Sequence, residues 1–438
     1  MPTPRVLSRG GGGTPGWVRL GAAAVAAMVV AEAAVWLLRP SGVIDPLAVD
    51  ATDFFRADEI ARAEDYRSGQ RLLFVGGVVA QGALLLILVA GRPEQAKEVL
   101  RRAGRRPVLG GAAAAAGLAG VLAVVGLPFD VAAHERAVDV GLSTQDLWAW
   151  AGDWAKANGI NAALMGVLGT GLLALIRRYP RRWWVPGSAA VVVLAAAFTW
   201  LAPVVLAPLF NDFDPLEGGE AREDVLELGE RSGVEIGEVY RVDASRRSTA
   251  INAYVGGIGP TKRVVLYDTL IDDLDRGERR SVVAHELAHV DQDDIPRGLL
   301  FVAISAPLGL LFAAGLTRAL ARRSGADPGE PASLPALAVA LAVTSFGIGV
   351  VGNQLSRAVE AKADTYALEL TRDPDAMIGL QERLARRNLS DPDPPDAVSF
   401  LLGSHPTTLE RIGAAQAWHD QNPDATSPGE PDPDAAAQ

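Results

Sequence analysis

The sequence predicts a mainly α, polytopic membrane protein of about seven transmembrane helices, with an α+β segment that carries a small edge-strand sheet. Three observations lead there. Apolar residues make up 49% of the 438 residues, weighted to Ala, Val, Leu and Gly, and they gather into seven runs of membrane-spanning length. The Lys and Arg residues collect in alternate connections between those runs. About ninety residues of ordinary polar sequence (207–298) separate the fifth run from the sixth.

The elements follow in order. Residues 1–16 are rich in Gly, Pro and Arg and read as a disordered N-terminus. The first run is Leu20 to Leu38, and its basic approach also resembles a signal peptide. It lacks a small-residue cleavage site, which favours an uncleaved anchor. The second is Leu72 to Ala90. The third, Val108 to Leu127, is expected to stop at Pro128. The fourth, Ile160 to Ile176, is the shortest, and Val185 to Leu206 is the fifth. The sixth and seventh are Leu299 to Leu320 and Leu334 to Gly352. A spanning helix needs about 20 apolar residues, and each run approaches or meets that length.

Between the fifth and sixth runs the periodicity changes. Leu216 to Ser232 reads as an amphipathic helix, Val239 to Val242 and Arg263 to Tyr267 as strands, and Gly256 to Pro260 as a turn. Residues 278–292 read as a helix, and 353–371 as a helix that continues out of the seventh run. The tail from 422 is rich in Pro, Asp and Ala and reads as disordered.

The charges set an orientation. Arg5, Arg9 and Arg19 precede the first run, and Arg92, Lys97, Arg101, Arg102, Arg105 and Arg106 follow the second. Arg177, Arg178, Arg181 and Arg182 follow the fourth, and Arg318, Arg322 and Arg323 the sixth. By the positive-inside rule these segments are cytoplasmic, so 207–298 and the C-terminal region lie outside the cytoplasm of a multi-pass cell-membrane protein. The net charge of −11, carried mainly by the loops and the C-terminal tail, argues against nucleic acid as a partner and reads as solvation of exposed parts, while the apolar runs make the lipid bilayer a partner. With no cysteine in the chain, disulfides and thiolate metal sites are excluded. Any metal site must use His and carboxylates.

His285-Glu286-Leu287-Ala288-His289 fits the pattern HExxH within a helical segment. The i, i+4 spacing sets both imidazoles on one face, a turn apart, where they can grip one ion. Glu286, beside the first ligand, is placed to take a proton from a water at that ion. Chance occurrence in a helix is the competing explanation, but the chain has only five histidines. A catalytic zinc takes three protein ligands. His134, His405 and His419 are the remaining histidines, and carboxylates are the other source. Glu360 and Asp364 lie one turn apart on one helical face after the seventh run, where one can bind metal and the other steady a ligand imidazole. A solvated acidic face is the plainer reading of such a pair, and spacing alone does not select Glu360.

The set resembles peptidase family M48, in particular its CaaX prenyl protease branch. There HExxH is followed, two hydrophobic spans later, by N-x-x-S-R-x-x-E-x-x-x-D, which stands here as Asn353, Ser356, Arg357, Glu360 and Asp364. The resemblance implies a gluzincin-type α+β metalloprotease domain. It implies one Zn2+ per chain on His285, His289 and Glu360, with Asp364, Arg357 and Asn353 behind the ligands. Arg357 is expected to face a buried acid or the substrate. Ser248 to Tyr254 with Lys262 to Leu270 is similar to the family's strand pair beside the cleft, which makes Asn252, Ala253 and Tyr254 candidate contacts for an extended peptide. Ser404-His405-Pro406 with Leu409 to Ile412 resembles the family's C-terminal His-Pro motif, so His405 joins Glu286 as a catalytic candidate. The stretches Leu127 to Phe129 and Leu209 to Leu216 resemble the branch's membrane-proximal elements. The similarity runs through about 60–415 and is closest in 205–410.

The expected organisation is a disordered N-terminus (1–16), a five-helix membrane domain (17–206), a metalloprotease segment (207–298), two further helices (299–352), a second metalloprotease segment (353–421) and a disordered tail (422–438). The implied activity is zinc-dependent endopeptidase action on a peptide or protein, membrane-associated or lipidated. Processing of CaaX-box proteins belongs to the family's eukaryotic members, at their cytosolic face, so reaction carries over better than substrate. An HtpX-like membrane quality-control protease is the alternative within the family, although that branch has fewer spans. A scaffold with structural zinc is the alternative outside enzymes, and it has no use for Glu286. Of the other groups, Glu32 within the first run is expected to face protein. His134 is expected in a solvated loop and His419 at the surface.

Overall fold

Each apolar run folds as a helix, and most of the helices outrun the stretch that predicted them. The computed structural model describes residues 15–91, 93–106, 108–256 and 263–423. In order, α1 is Gly16–Leu38, α2 Ala57–Val89, the short α3 Glu94–Ala103, α4 Leu109–Asp139, α5 Leu147–Arg178 and α6 Trp184–Leu201. One π-turn and one 3-10 turn carry α6 on to Leu209. After the intervening sheet, α10 is Asp294–Ser324 and α11 Leu334–Thr371. Seven of these helices are long and apolar enough to cross a membrane. Helices suit that solvent because every backbone N–H and C=O is paired within the segment.

Pro128 does not end the third span. It sits inside α4, which runs on to Asp139, as prolines do in membrane helices whose neighbours support the weakened turn. His134 therefore lies on a helix and not in a loop, and it is buried. The fourth run, shortest by composition, belongs to a helix of 32 residues. The apolar side chains of these helices face outward: none of the apolar window of α6 is buried, and Val193 and Phe198 stand exposed on it. Contact between spans rests on small residues instead. A Cβ at Gly166 of α5 would meet the Ala112 carbonyl of α4 at 3.2 Å, and one at Gly169 would meet Ala115 at 2.6 Å. Glu32 of α1 does face protein, accepting from Gln354 Nε2 of α11 at 3.0 Å.

The polar segment supplies β1 (Phe213–Pro215), α7 (Glu220–Ser232), β2 (Glu238–Val242), β3 (Ala253–Gly256), β4 (Arg263–Tyr267), α8 (Asp268–Asp273) and α9 (Arg276–Asp291). The strand order is β1-β2-β4-β3, with β2 parallel to β4 and the outer pairs antiparallel. Both strands expected from sequence are present, whereas the turn expected after Gly256 lies outside the described residues. A core of Val225, Leu228, Val264, Leu266, Val283, Leu287, Leu368 and Leu380 ties sheet, α7, α9 and the end of α11 to α12 (Pro374–Asn388). The short α13 (Asp396–Leu402) and α14 (Thr408–Gln421) complete the chain.

Local chemistry fixes α9 at both ends. Asp275 and Glu278 form a reciprocal capping box at its start. At its end Asp293 takes a left-handed conformation (φ 55°), which lets α10 begin at once. Behind α9, the buried Asp224 of α7 accepts from Arg276 Nη2 at 2.9 Å and from Arg280 Nη1 at 2.8 Å. The segment between α1 and α2 straps α14: Leu47 N donates to the Gly413 carbonyl at 3.1 Å. A Cβ at Gly413 would stand 2.1 Å from the Leu47 carbonyl oxygen, so only glycine admits this approach.

Asp224→Ala should lower stability by about 3 kcal/mol, the low end for a broken buried ion pair, because Arg276 is half exposed. Thermal unfolding in detergent checks this against Glu220→Ala, whose carboxylate is itself half exposed in its pairs to Arg276 and Arg279 and should shift the melting temperature far less.

Candidate metal centre and active site

The helical face predicted for HExxH is formed. The rings of His285 and His289 lie 5.0 Å apart and at right angles on α9. Across from them α11 presents Glu360, whose Oε2 is 3.2 Å from His285 Nε2 and whose Oε1 is 3.9 Å from His289 Nε2. One ligand atom from each of the three lies within 4.8 Å of the others, a group that can hold a metal.

Both imidazoles are steadied from behind in the same way. His285 Nδ1 lies 2.8 Å from Asp364 Oδ1, and Arg411 of α14 grips that carboxylate through Nε (2.8 Å) and Nη2 (2.6 Å). His289 Nδ1 lies 2.9 Å from Asp294 Oδ2 at the first turn of α10, and Arg297 Nη1 donates to Asp294 Oδ1 at 2.5 Å. With Nδ1 committed to a carboxylate on each ring, Nε2 is the nitrogen turned toward Glu360 and the one that would offer its lone pair to a metal. Burial works against charge on His285, yet the hydrogen bonds to Asp364 and Glu360 outweigh it and push the imidazole up to about 10. The cluster therefore draws positive charge, which a divalent cation brings. Two imidazole nitrogens and one carboxylate form the donor set of catalytic zinc sites, with a fourth position for water.

Glu286 is half-buried on α9. Its Oε2 accepts from the Val255 amide at 3.3 Å, and burial pushes its carboxyl above the usual glutamate range. A carboxylate at this position can take and return a proton. The amide belongs to β3, one of the two edge strands of the sheet among the described residues. Tyr267 N donates to the Asn252 carbonyl, and the antiparallel register then alternates along β3. Tyr254 turns its backbone inward to β4, while Ala253 and Val255 turn theirs outward. Of the three expected contacts, only Ala253 offers outward-facing backbone. Asn252 spends its carbonyl on Tyr267 and its Oδ1 on the Ala253 amide. Val255, which sequence reasoning passed over, is the second outward position.

His405 follows α13, half exposed, with Nε2 3.4 Å from Glu360 Oε1 and Nδ1 2.9 Å from Ser404 Oγ. Among the described residues Arg357 has no carboxylate partner within 4 Å. Its Nη1 donates to the carbonyls of Ser399 (3.1 Å) and Gly403 (2.6 Å), and Asn353 Nδ2 donates to Leu401 O at 3.3 Å. Both side chains thus clamp the turn that carries His405. His419 is exposed, as expected. His134 is far from the solvated loop expected for it: it stacks on Trp150 at 4.9 Å. Sequence reasoning missed Asp294 and Arg411. Asp294 had a local signal, an acid five residues past His289. Arg411 had only its place beside the His-Pro motif.

A membrane-embedded metallopeptidase is the class that this fold and donor set define. Residues 215–419 match Peptidase family M48, and residues 46–212 match the family described as CAAX prenyl protease N-terminal, five membrane helices. A metalloprotease of Bacillus subtilis, YhfN, is 31% identical over 84% of this chain and 88% of its own length. The chain belongs to peptidase family M48 and is a multi-pass membrane metalloendopeptidase. It is also 30% identical to a CAAX prenyl protease 1 homolog of Arabidopsis thaliana, over 63% of this chain and 65% of that one. With CAAX prenyl protease 1 of Saccharomyces cerevisiae it shares 28% identity, over 63% and 64%. Its fold matches the crystal structure of S. mikatae Ste24p with a TM-score of 0.72 at 21% identity, covering 92% of this chain and 99% of that one.

Asp364→Asn and Asp294→Asn should each weaken metal affinity about 10–100-fold in a chelator competition, because each leaves an imidazole unsteadied. Arg357→Ala should leave metal affinity near wild type.

Proposed function

We propose that the chain is a zinc endopeptidase that cuts an extended peptide laid along the outer edge of β3, with one Zn2+ per chain on His285, His289 and Glu360. One observation carries the reading: the Glu286 carboxylate is hydrogen-bonded to the outward amide of Val255, so the base and the peptide-binding edge meet at one point. When bound, zinc supplies Lewis acidity that activates a water and polarises the scissile carbonyl. A substrate carbonyl pairing with Val255 N–H releases Glu286, which takes the water's proton and returns it to the departing nitrogen. Ser404 at Nδ1 of His405 leaves Nε2–H as a donor toward the site, where it steadies the developing oxyanion. Arg357 and Asn353 act by holding the His405 turn in reach. The substrate is a membrane-associated or lipidated polypeptide, since the site is bounded by spans on both sides in sequence.

The loop charges support an extracytoplasmic catalytic site. In this orientation α3, with Arg101 and Arg102 at its end, lies at the cytoplasmic surface.

Glu286→Gln should reduce cleavage of a quenched peptide about 10²–10⁴-fold while retaining one zinc per chain by elemental analysis. Turnover at the wild-type rate would overturn the mechanism, and cleavage that survives metal removal would overturn the zinc assignment. Because the chain has no cysteine, sidedness can be read from single introduced thiols. In intact cells an impermeant maleimide should label Glu235→Cys and spare Glu94→Cys; the reverse pattern would invert the orientation.

A further inference from the structure

Arginines tie the polar first half of α2 to the end of α12. Arg386 of α12 pairs with Glu59 at 3.2 Å, and Arg71 of α2 pairs with Asp391, just past α12, at 3.4 Å. One turn before Arg71, Arg67 makes a different contact. Its Nη2 donates to the Asn388 carbonyl at 2.6 Å and its Nε to the Leu389 carbonyl at 2.7 Å. These carbonyls close the C-terminus of α12, where the helix itself supplies no donors. Leu389 is left-handed (φ 45°) with its side chain buried. A branched residue in that conformation is strained and persists where its surroundings hold it.

What Arg67 holds, through that carbonyl, is Asn388. The Asn388 carboxamide engages both backbone groups of Ile251: Oδ1 accepts from the amide at 3.1 Å, and Nδ2 donates to the carbonyl at 3.4 Å. Strand parity gives this contact its meaning. Asn252 and Tyr254 turn their backbone inward to β4, and Ala253 and Val255 turn theirs outward, so Ile251 continues the outward set. From the inward side, Thr269 Oγ1 donates to the Ala250 carbonyl at 2.8 Å and Tyr267 N to the Asn252 carbonyl at 3.2 Å. Asn388 holds the residue between them from the outward side. The approach to β3 is thus clamped on both edges, and one jaw of the clamp is set by a membrane helix.

Resting on the endopeptidase reading above, we infer that Arg67 is a positioning residue for the substrate edge: through Asn388 it sets where the outward groups of Ala253 and Val255 stand relative to the ligands on α9 and α11. Arg67 acts through this chain of contacts, which reaches the strand without passing through the metal centre. An extended peptide paired to a shifted edge presents its scissile carbonyl out of line with Glu286. A misplacement of about 1 Å is enough to slow such a reaction about 100-fold.

The test follows Ile251 directly, in zinc-loaded full-length protein in vesicles. Backbone hydrogen exchange in fragments covering 251–255 should quicken about tenfold or more in Arg67→Ala and in Asn388→Ala. It should keep the wild-type rate in Arg386→Ala, which removes a neighbouring tie between α12 and α2. For a quenched extended peptide, kcat/KM should fall about 10–100-fold in the first two variants, with zinc affinity in a chelator competition near wild type. The double variant should lose no more than Asn388→Ala alone, because the two residues act in series. Arg67→Lys, which keeps a charged donor, should recover part of the loss. Losses that add in the double variant, or an equal loss in Arg386→Ala, would mark general packing and overturn the positioning role. Wild-type exchange at 251–255 in Arg67→Ala would overturn it as well. If Arg67→Ala does not fold, Arg67→Gln, whose shorter amide cannot span both carbonyls, serves in the same comparison. Failure of the wild type to cleave the peptide would count against the endopeptidase reading, while the exchange comparison would still decide the clamp.

Discussion

Two imidazoles can meet at one point only if neither ring is free to rotate, and here each is held by a carboxylate that is itself held by an arginine. His285, Asp364 and Arg411 form one such chain, and His289, Asp294 and Arg297 the other. The rest of the molecule is arranged to deliver these parts. Asp364 and Glu360 arrive on α11, Asp294 and Arg297 on α10, and Arg411 on α14. The left-handed Asp293 is what folds Asp294 back beneath His289, a strained residue that earns its place by what it positions. The strap from Leu47 to Gly413 does the same for α14, because Arg411 lies two residues from that contact.

The membrane spans and the site are consequently one mechanical unit. α10 leaves the site for the bilayer directly from its orienting acid, and α11 returns from the bilayer carrying Asn353, Arg357, Glu360 and Asp364 along one helix. A bilayer prevents lateral unfolding of those helices, since each exposed backbone group would cost several kcal/mol in hydrocarbon. Ligand positions set on such helices gain a rigidity that loops do not give.

Sequence made the spans and the HExxH face legible because both depend on local pattern, apolar length in one case and i, i+4 spacing in the other. The boundaries were less legible for a physical reason. Hydropathy reports where lipid is, not where a helix ends, so the polar first half of α2 and the tail of α4 past Pro128 were invisible to it. That is why His134 was assigned to a loop. Arg411 escaped because its partner Asp364 is 47 residues away, and nothing local in either residue reveals where α14 lands. The outward register of β3 escaped for a similar reason: strand parity follows from the pairing of Asn252 with Tyr267, and a shift of one residue would present Tyr254 in place of Val255.

That parity has a chemical consequence. Among the described residues the outward groups of β3 are those of Ala253 and Val255, and the Val255 amide is engaged by Glu286. On the proposed reading, a peptide that binds there displaces the Glu286 carboxylate from the strand. Binding of an extended substrate and freeing of the base become one event. A side chain or a folded surface that cannot supply a backbone carbonyl at Val255 leaves Glu286 engaged. On that reading, selection for extended polypeptide follows from a single hydrogen bond, before any side-chain pocket is consulted.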